Sequence, residues 1–214
     1  MHGCRQSSSV YVLGNVMKKP GLLAVVVVVA VVGFWAVGKY NRLVRLDQAV
    51  QAQWSQVENV YQRRADLVPN LVATVKGAAA FEKDTFTAVT EARARVGQAQ
   101  AAGGNAPNDP AALQQYQQAQ DQLSSALSRL MVVVERYPDL KATANFRELQ
   151  AQLEGTENRI AVERMRFNQT AQEFNSVRDS FPTVMVAGLF GHRFQEKAYF
   201  KAQSGAETAP QVHF

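Results

Sequence analysis

The chain has 214 residues, enough for one or two domains of ordinary size. Its formal net charge is +5, but the first 38 residues contain no acid, and basic and acidic residues nearly balance from Lys39 onward. The sequence shows no basic stripe with interleaved aromatic residues, so we expect no nucleic-acid partner. The single cysteine, Cys4, excludes an intrachain disulfide and a cysteine-based zinc site.

An apolar segment near the N-terminus predicts a transmembrane helix over residues 20–39. Residues 21–38 carry no charge, and as a helix they would span roughly 27 Å, enough to cross the hydrocarbon core of a bilayer. Lys39 follows the segment, and Trp35 and Tyr40 lie where interfacial aromatic residues are expected. A cleaved signal peptide is the alternative. The bulky residues of FWAVGKY do not suit a cleavage site, so we favour a retained single-pass anchor.

Residues 1–16 resemble no structural element, and we expect them to be unstructured. The sequence Met17-Lys18-Lys19 looks like a natural start, so we hypothesise that translation begins at Met17. Basic residues flank the apolar segment on both sides. They therefore do not decide on which side of the membrane the remaining chain lies, and we lean towards the extracytoplasmic side.

After the apolar segment, apolar residues recur at steps of three and four, which predicts four amphipathic helices and no strands. We expect the first to continue the membrane span from Tyr40, and the second to run from about Leu67 to Ala102. The third starts near Pro110, and the fourth ends at Pro182. The expected fold is all-α, with an N-terminal transmembrane helix followed by an antiparallel four-helix bundle over residues 40–200. Residues 201–214 are expected to form a disordered tail.

The sequence RRADLVPNL, residues 63–71, predicts a corner between the first two helices. Asp66 can cap the second helix, and Pro69 then falls in its first turn, where a missing N–H does no harm. Asn70 can add a side-chain hydrogen bond at the same corner. These three residues therefore predict a structural role.

The two arginines in that sequence, Arg63 and Arg64, need a partner if either is buried. The fourth helix offers ENRIAVERMRFN, residues 157–168. We expect at least one of the arginines to pair with a carboxylate of this segment and to define the helix register. The candidate structural or interaction residues of the segment are Glu157, Asn158, Glu163 and Asn168.

Two carboxylates, Asp47 and Glu163, occupy positions in otherwise apolar helix seams. Inward carboxylates can form a metal site in a bundle core. Glu163 is followed three residues later by Arg166 instead of a histidine, so we favour a buried carboxylate satisfied by arginine. The three histidines are scattered, and no HExxH motif, phosphate-binding glycine loop or nucleophile elbow occurs. We therefore expect no catalytic, cofactor-binding or metal-binding residues.

The segment PTVMVAGLFGHRF, residues 182–194, contains an apolar run with neither helical nor strand periodicity. We favour the interpretation that it covers one end of the bundle. The alternative is an exposed contact with a partner or with the bilayer surface. The residues available for such a contact are Val184, Met185, Leu189 and Phe190.

Several stretches resemble the LemA family of bacterial membrane proteins. They are YNRLVRLDQAVQAQWSQVENVYQRRADLVPNLVATVKGAAAFE (40–82), EARARV (91–96), RYPDLKATANFRELQAQLEGTENRIAVERMRFNQTAQEFNSVRDSFP (136–182) and GLFGHRF (188–194). The resemblance covers the chain from the anchor to about Phe200. One departure is KGAAAFE, where the family often has an aromatic residue after the glycine.

The resemblance implies a transmembrane helix, a helical bundle, no established enzymatic activity and no catalytic residues. It also implies an accessory role at the bacterial inner membrane, with partners that include membrane zinc metalloproteases. We expect a scaffold, assembly factor or adaptor that contacts the bilayer through its N-terminal helix and binds other membrane or envelope proteins. Self-association stays open. The alternatives are a small-ligand sensor bundle and, less favoured, a metal-dependent enzyme.

Overall fold

The computed structural model describes residues 20–78, 83–102 and 106–201. Within these ranges no strand occurs, which confirms the all-α prediction. The expectations for residues 1–16, the start at Met17 and the tail after Lys201 lie outside the described residues. The helices are α1 (Pro20–Ala78), α2 (Lys83–Ala102), α3 (Pro110–Val134), α4 (Pro138–Lys141), α5 (Ala144–Asp179) and α6 (Thr183–Leu189), and a 3₁₀ turn, Ala106–Asn108, precedes α3.

The predicted membrane span and the first bundle helix form one helix, α1. Its 59 residues correspond to a length of about 88 Å. Of the helices described, α1 alone contains a segment long and apolar enough to cross a membrane. The apolar side chains of this segment are exposed, and Phe34 is 85% accessible. Such exposure suits a helix surrounded by lipid.

The bundle consists of two antiparallel helix pairs, α1 with α5 and α2 with α3. Their buried side chains form two cores, one at each end of the bundle. The membrane-proximal core contains Leu43, Val50, Trp54, Val57, Tyr61, Ala106, Leu113, Tyr116, Ile160, Phe167, Ala171, Phe174, Ala187, Phe194, Ala198 and Phe200. The membrane-distal core contains Val68, Leu71, Val75, Phe86, Val89, Ala92, Val96, Ala119, Leu123, Ala126, Leu127, Leu130, Val134, Leu140, Phe146 and Leu153.

The predicted corner at residues 63–71 is wrong, because α1 continues through it to Ala78. Pro69 lies inside the helix instead of in a first turn, and Asp66 caps no helix. Its carboxylate Oδ1 accepts a hydrogen bond of 2.8 Å from Nε2 of Gln62, one turn earlier. The second helix begins at Lys83, so the connection falls at residues 79–82, outside the described residues.

The helix tolerates Pro69 because a side chain replaces the missing backbone donor. Proline has no N–H, so the carbonyl of Ala65, four residues earlier, loses its helical hydrogen bond. Nε of Arg93 on α2 donates to that oxygen at 2.9 Å. Val68, Leu71 and Val75 continue the buried face of α1 beyond this point. Packing of this face therefore favours a continuous helix over a turn.

Two further helix starts follow ordinary capping rules. The Oδ1 of Asp109 accepts hydrogen bonds from the backbone N–H groups of Ala111 and Ala112, and Pro110 occupies the first position of α3. Thr143 caps α5 through its Oγ1, which accepts from the N–H of Phe146 at 3.3 Å. These caps define where α3 and α5 begin.

We expect Arg93→Ala to lower the free energy of unfolding by about 1–3 kcal/mol, because it leaves the buried carbonyl of Ala65 without a donor. In a Pro69→Ala background the restored backbone N–H can serve that carbonyl, so the same substitution should cost less. Chemical unfolding of the full chain in detergent, followed by circular dichroism, measures both losses. The control is Arg95→Ala, which removes an exposed hydrogen bond to Gln122. Equal losses in both backgrounds would contradict the role of Arg93.

Candidate functional site: a buried polar layer and a C-terminal strap

A buried polar layer lies between the two cores and is formed by Arg64, Gln120, Ser124 and Glu157. Arg64 on α1 is only 1% exposed. Its Nη1 donates to Ser124 Oγ and to Glu157 Oε1, each at 2.7 Å. Its Nη2 donates to the backbone oxygen of Gln120 at 3.2 Å and also to the side-chain Oε1 of that residue. One guanidinium thus connects α1 with α3 and α5.

Aromatic rings close the layer on its membrane-proximal side. The guanidinium carbon of Arg64 lies 5.2 Å from the centre of the Tyr61 ring, within range of a cation–π contact. Tyr61 packs edge-on against Tyr116, with ring centres 5.4 Å apart. Burial raises the pKa of both tyrosines above the ordinary value of 10.0. Both phenols therefore stay neutral near the arginine at physiological pH.

The expected pairing between the arginines and the 157–168 segment is made by Arg64 with Glu157. Arg63 is exposed, because it lies about 100° around the helix from Arg64. Asp66, Pro69 and Asn70 are exposed as well, so the structure does not bring them into the polar layer. The residues of RRADLVPNL therefore separate into one buried arginine and several surface positions.

The seam carboxylate Glu163 is held by neighbouring polar side chains, as the sequence suggested. Its Oε1 accepts from Arg166 Nη1 at 2.8 Å, and its Oε2 accepts from Gln53 Nε2 of α1 at 2.7 Å. Together with Asn158, it lines a groove of about 390 Å³ between α1 and α5. The other lining residues are Gln56, Val60, Arg159, Val162 and Arg166.

The other seam carboxylate, Asp47, pairs with Lys197, a residue that the sequence analysis did not single out. Lys197 is 1% exposed, and its ammonium contacts Asp47 and the side-chain oxygen of Asn108. The ammonium also lies 4.7 Å from the centre of the Phe174 ring. A lone acid in an apolar seam does signal a buried cation, but it does not identify which cation.

Lys197 belongs to a C-terminal strap, residues 194–201, which has no regular secondary structure and lies along α5. Two asparagines of α5 bind the backbone of the strap, and each uses both the nitrogen and the oxygen of its side-chain amide. Asn175 donates to the Lys197 carbonyl at 2.9 Å and accepts from the Lys197 N–H at 2.8 Å. Asn168 does the same with Phe200, at 3.0 Å and 2.9 Å.

Helix and strap geometry explain why these asparagines are seven residues apart. Seven residues of an α-helix rise about 10.5 Å, and three residues of extended chain cover about 10 Å. The side-chain amides at 168 and 175 therefore face the backbone at 200 and 197. The predicted candidate Asn168 is thus a strap residue, and its spacing to Asn175 was the signal that could have revealed both.

Additional contacts hold both ends of the strap. Gln117 of α3 donates to the Lys201 carbonyl at 2.9 Å, and Arg178 donates to the Phe194 carbonyl at 2.7 Å. The Phe200 ring stacks near Trp54, with ring centres 5.9 Å apart. Lys201 is therefore bound to the bundle, although the sequence analysis assigned it to the disordered tail.

The apolar run after α5 divides between buried and exposed positions. In α6, Val186 and Ala187 are buried against the bundle. Val184, Met185, Leu189 and Phe190 are exposed instead, and Leu189 is 82% accessible. One face of α6 and the strap thus cover the bundle end, while the four candidate contact residues stay accessible, although the Phe190 ring also packs against Tyr40.

The described residues contain no cluster of three or more His, Cys, Asp or Glu side chains that could hold a metal ion. The ionisable side chains brought together inside the bundle, Arg64 with Glu157 and Lys197 with Asp47, are joined in ion pairs. Such pairs define register and orientation. They place no nucleophile beside a general base.

We expect Arg64→Ala to lower the free energy of unfolding by about 3 kcal/mol, at the lower end for a broken buried ion pair because Glu157 is partly exposed. Arg63→Ala is the matched control and should change it by no more than about 0.5 kcal/mol. Unfolding of the full chain in detergent measures both. Similar small changes for the two variants would contradict a structural role for the layer.

Asn175→Leu should release part of the strap, because leucine can neither donate to nor accept from the Lys197 backbone. We expect hydrogen exchange in a peptide covering residues 194–201 to become about tenfold faster, which corresponds to about 1.4 kcal/mol. Mass spectrometry after timed deuterium labelling measures this rate. Asn158→Leu, at an exposed position of the same helix, is the control. Unchanged exchange at the strap would show that the amide pairing does not hold it.

Comparisons with known proteins find relatives that match most of this chain. Magnetosome protein MamQ 2 of Paramagnetospirillum magneticum is 29% identical over 206 residues, covering 87% of this chain and 74% of the relative. Magnetosome protein MamQ of Magnetospirillum gryphiswaldense is 28% identical over 192 residues, covering 81% and 70%. Protein LemA of Metamycoplasma hominis is 24% identical over 166 residues, covering 78% and 71%. The model of the LemA family matches residues 53–214, and the chain therefore belongs to the LemA family.

Proposed function

We propose that the protein is a non-catalytic scaffold or adaptor of the bacterial inner membrane, which presents its helical bundle to other membrane or envelope proteins. The observation that carries this proposal is the continuity of α1 from the membrane span to the far end of the bundle. A break between anchor and bundle would let the bundle swing. A continuous helix instead supports a binding surface at a defined height above the bilayer.

The length of α1 gives that height. Lys39 follows the apolar segment, and the helix continues to Ala78, which corresponds to a rise of about 58 Å. The buried Arg64 layer lies within this stretch and joins α3 and α5 to the same helix. Surfaces on α5 are thereby held in register with the anchor.

The groove between α1 and α5 is the surface we assign to the partner. Val162 is 40% exposed within it, and Met165 is exposed one turn away on α5. Arg159 and Arg166 flank these apolar side chains. Exposed apolar residues surrounded by arginines have the composition of a protein-binding surface.

The relatives are named after a structure or after a family. Three of them are named as magnetosome proteins, and the fourth is named only for the LemA family. None of these names specifies a reaction. For this chain we propose envelope or membrane proteins as partners, with a membrane zinc metalloprotease as the class suggested by the family resemblance, and the bundle on the extracytoplasmic side.

Photo-crosslinking in living cells tests the proposal. A photoreactive amino acid at position 162 or 165 should capture the same membrane or envelope protein, because both positions border one groove. The matched control is position 132, since Val132 is also an exposed apolar residue but lies on α3. The captured protein should be absent there, and a photoreactive residue placed in the captured protein should recover this chain. Protease added to spheroplasts should digest the bundle if it is extracytoplasmic.

Three results would contradict the proposal. They are capture of lipid alone from positions 162 and 165, an equal yield of the same proteins from position 132, and a captured protein that fails the reciprocal test. Each would show that the groove is not a specific contact.

A further inference from the structure

The short helix α6 places apolar side chains in contact with the membrane-spanning part of α1. A cleft of about 270 Å³ separates the two helices, and it is lined almost entirely by apolar atoms. Its α1 wall consists of Ala36, Val37 and Tyr40. Its other wall consists of Val186 and Leu189 of α6 and of Phe190, which directly follows α6. The Phe190 and Tyr40 rings pack edge-on, with centres 5.0 Å apart.

The α1 wall fixes the depth of α6 relative to the bilayer. Ala36 precedes Lys39 by three residues, which places it about 4.5 Å farther into the membrane along the helix axis. A side chain that reaches Ala36 and Val37 is therefore below the first basic residue of the interface. Helices that lie in a membrane interface bury their apolar face about 5–10 Å into the boundary between headgroups and acyl chains. The depth of α6 falls at this boundary.

The outward face of α6 has the composition of a lipid contact. Met185 is 65% exposed and Leu189 is 82% exposed, and Phe181 just before the helix is 81% exposed. Apolar side chains so exposed to water would be unfavourable, and they lie beside a helix segment that is itself surrounded by lipid. The lipid-facing surface of α1 and the outward face of α6 are thus continuous.

The distribution of charged residues near α6 favours contact with an anionic bilayer surface. The described part of α1 before Asp47 contains no acid, and neither does the segment from Ser180 to Gln195. Basic residues occur at the boundary instead. Lys39 lies over the Trp35 ring at 5.5 Å, and the Arg193 guanidinium lies over the Tyr40 ring at 5.6 Å. Basic residues at such a boundary attract anionic headgroups.

From these observations we propose that α6 is a second membrane contact. It lies in the headgroup–acyl boundary beside α1, the cleft between them receives part of a lipid acyl chain, and Lys39 and Arg193 face anionic headgroups. Two contacts instead of one define the tilt of the bundle and its rotation about α1.

Depth-dependent fluorescence quenching of the full chain in proteoliposomes tests this contact. Cys4 is the only cysteine, so Cys4→Ser leaves a background into which Met185→Cys can be introduced and labelled. A lipid that carries a nitroxide high on its acyl chain should quench this label strongly, while iodide in the water should quench it weakly. Phe34→Cys, within the span, gives the reference for a label in lipid.

Val132→Cys is the matched control, because Val132 is 67% exposed, close to the 65% of Met185, and belongs to the distal half of α3. Its label should be quenched by iodide and not by the nitroxide lipid. We expect nitroxide quenching at position 185 to be at least threefold stronger than at position 132. Equal quenching patterns at the two positions would overturn the proposal, as would a label at 185 shielded from both quenchers, which would indicate contact with a second copy.

A second experiment tests the contact with anionic headgroups. Replacing part of the phosphatidylcholine with phosphatidylglycerol should strengthen nitroxide quenching at position 185, and Arg193→Gln should reduce that gain. Quenching that does not change with phosphatidylglycerol would overturn the headgroup contact. Partner binding does not enter this measurement, so its outcome is independent of the scaffold proposal.

Discussion

Arg64 fixes three helices at a common level, and the rest of the bundle depends on this register. Its terminal nitrogens contact side chains of both α3 and α5, and hydrogen bonds to a planar guanidinium have a defined geometry. A slip of α5 by one turn would displace Glu157 by about 5.4 Å and leave the buried charge without its carboxylate. Apolar contacts penalise such a slip less sharply, because leucine and valine can exchange neighbours. The polar layer therefore selects one alignment of the helices, which the apolar contacts of the two cores define less sharply.

At the membrane-proximal end, the position of the C-terminal strap depends on this helix register. Asn168 and Asn175 meet the backbone of the strap only if α5 has the correct height relative to α1 and α3. Lys197 depends on the same condition, since its ammonium contacts Asp47 on α1 while its backbone is bound to α5. A segment without helical or strand hydrogen bonds is thereby ordered by side chains. Its buried residues Phe194 and Phe200 then complete the proximal core.

The sequence was most informative where a periodic pattern, or the need of a buried charge for a partner in a recognisable segment, determined the structure. Steps of three and four predicted the helices, and the need of a buried arginine for a carboxylate predicted the pairing of Arg64. Pro69 was misinterpreted because local rules treat it as a helix start. The donor that rescues the helix, Arg93, is 28 residues from the Ala65 carbonyl that it serves. The partner of Asp47 is 150 residues away. No pattern in the sequence distinguishes Arg93 or Lys197 from the other basic residues, so neither partner was predictable from one sequence.

The rigidity of α1 is consequently a property of the assembled bundle. Alone, a helix with an internal proline would bend or end near Ala65, because that carbonyl has no backbone donor. Arg93 supplies the donor only when α2 packs beside α1, and Arg64 finds its partners only when α3 and α5 are in place. Any partner that separated α2 from α1 would weaken the distal part of α1 first, because that part follows Pro69 and depends on the donor from Arg93, whereas the span and the α1 residues of the proximal core precede Pro69. The height at which the bundle presents its distal surface is thus coupled to the folding of the bundle itself.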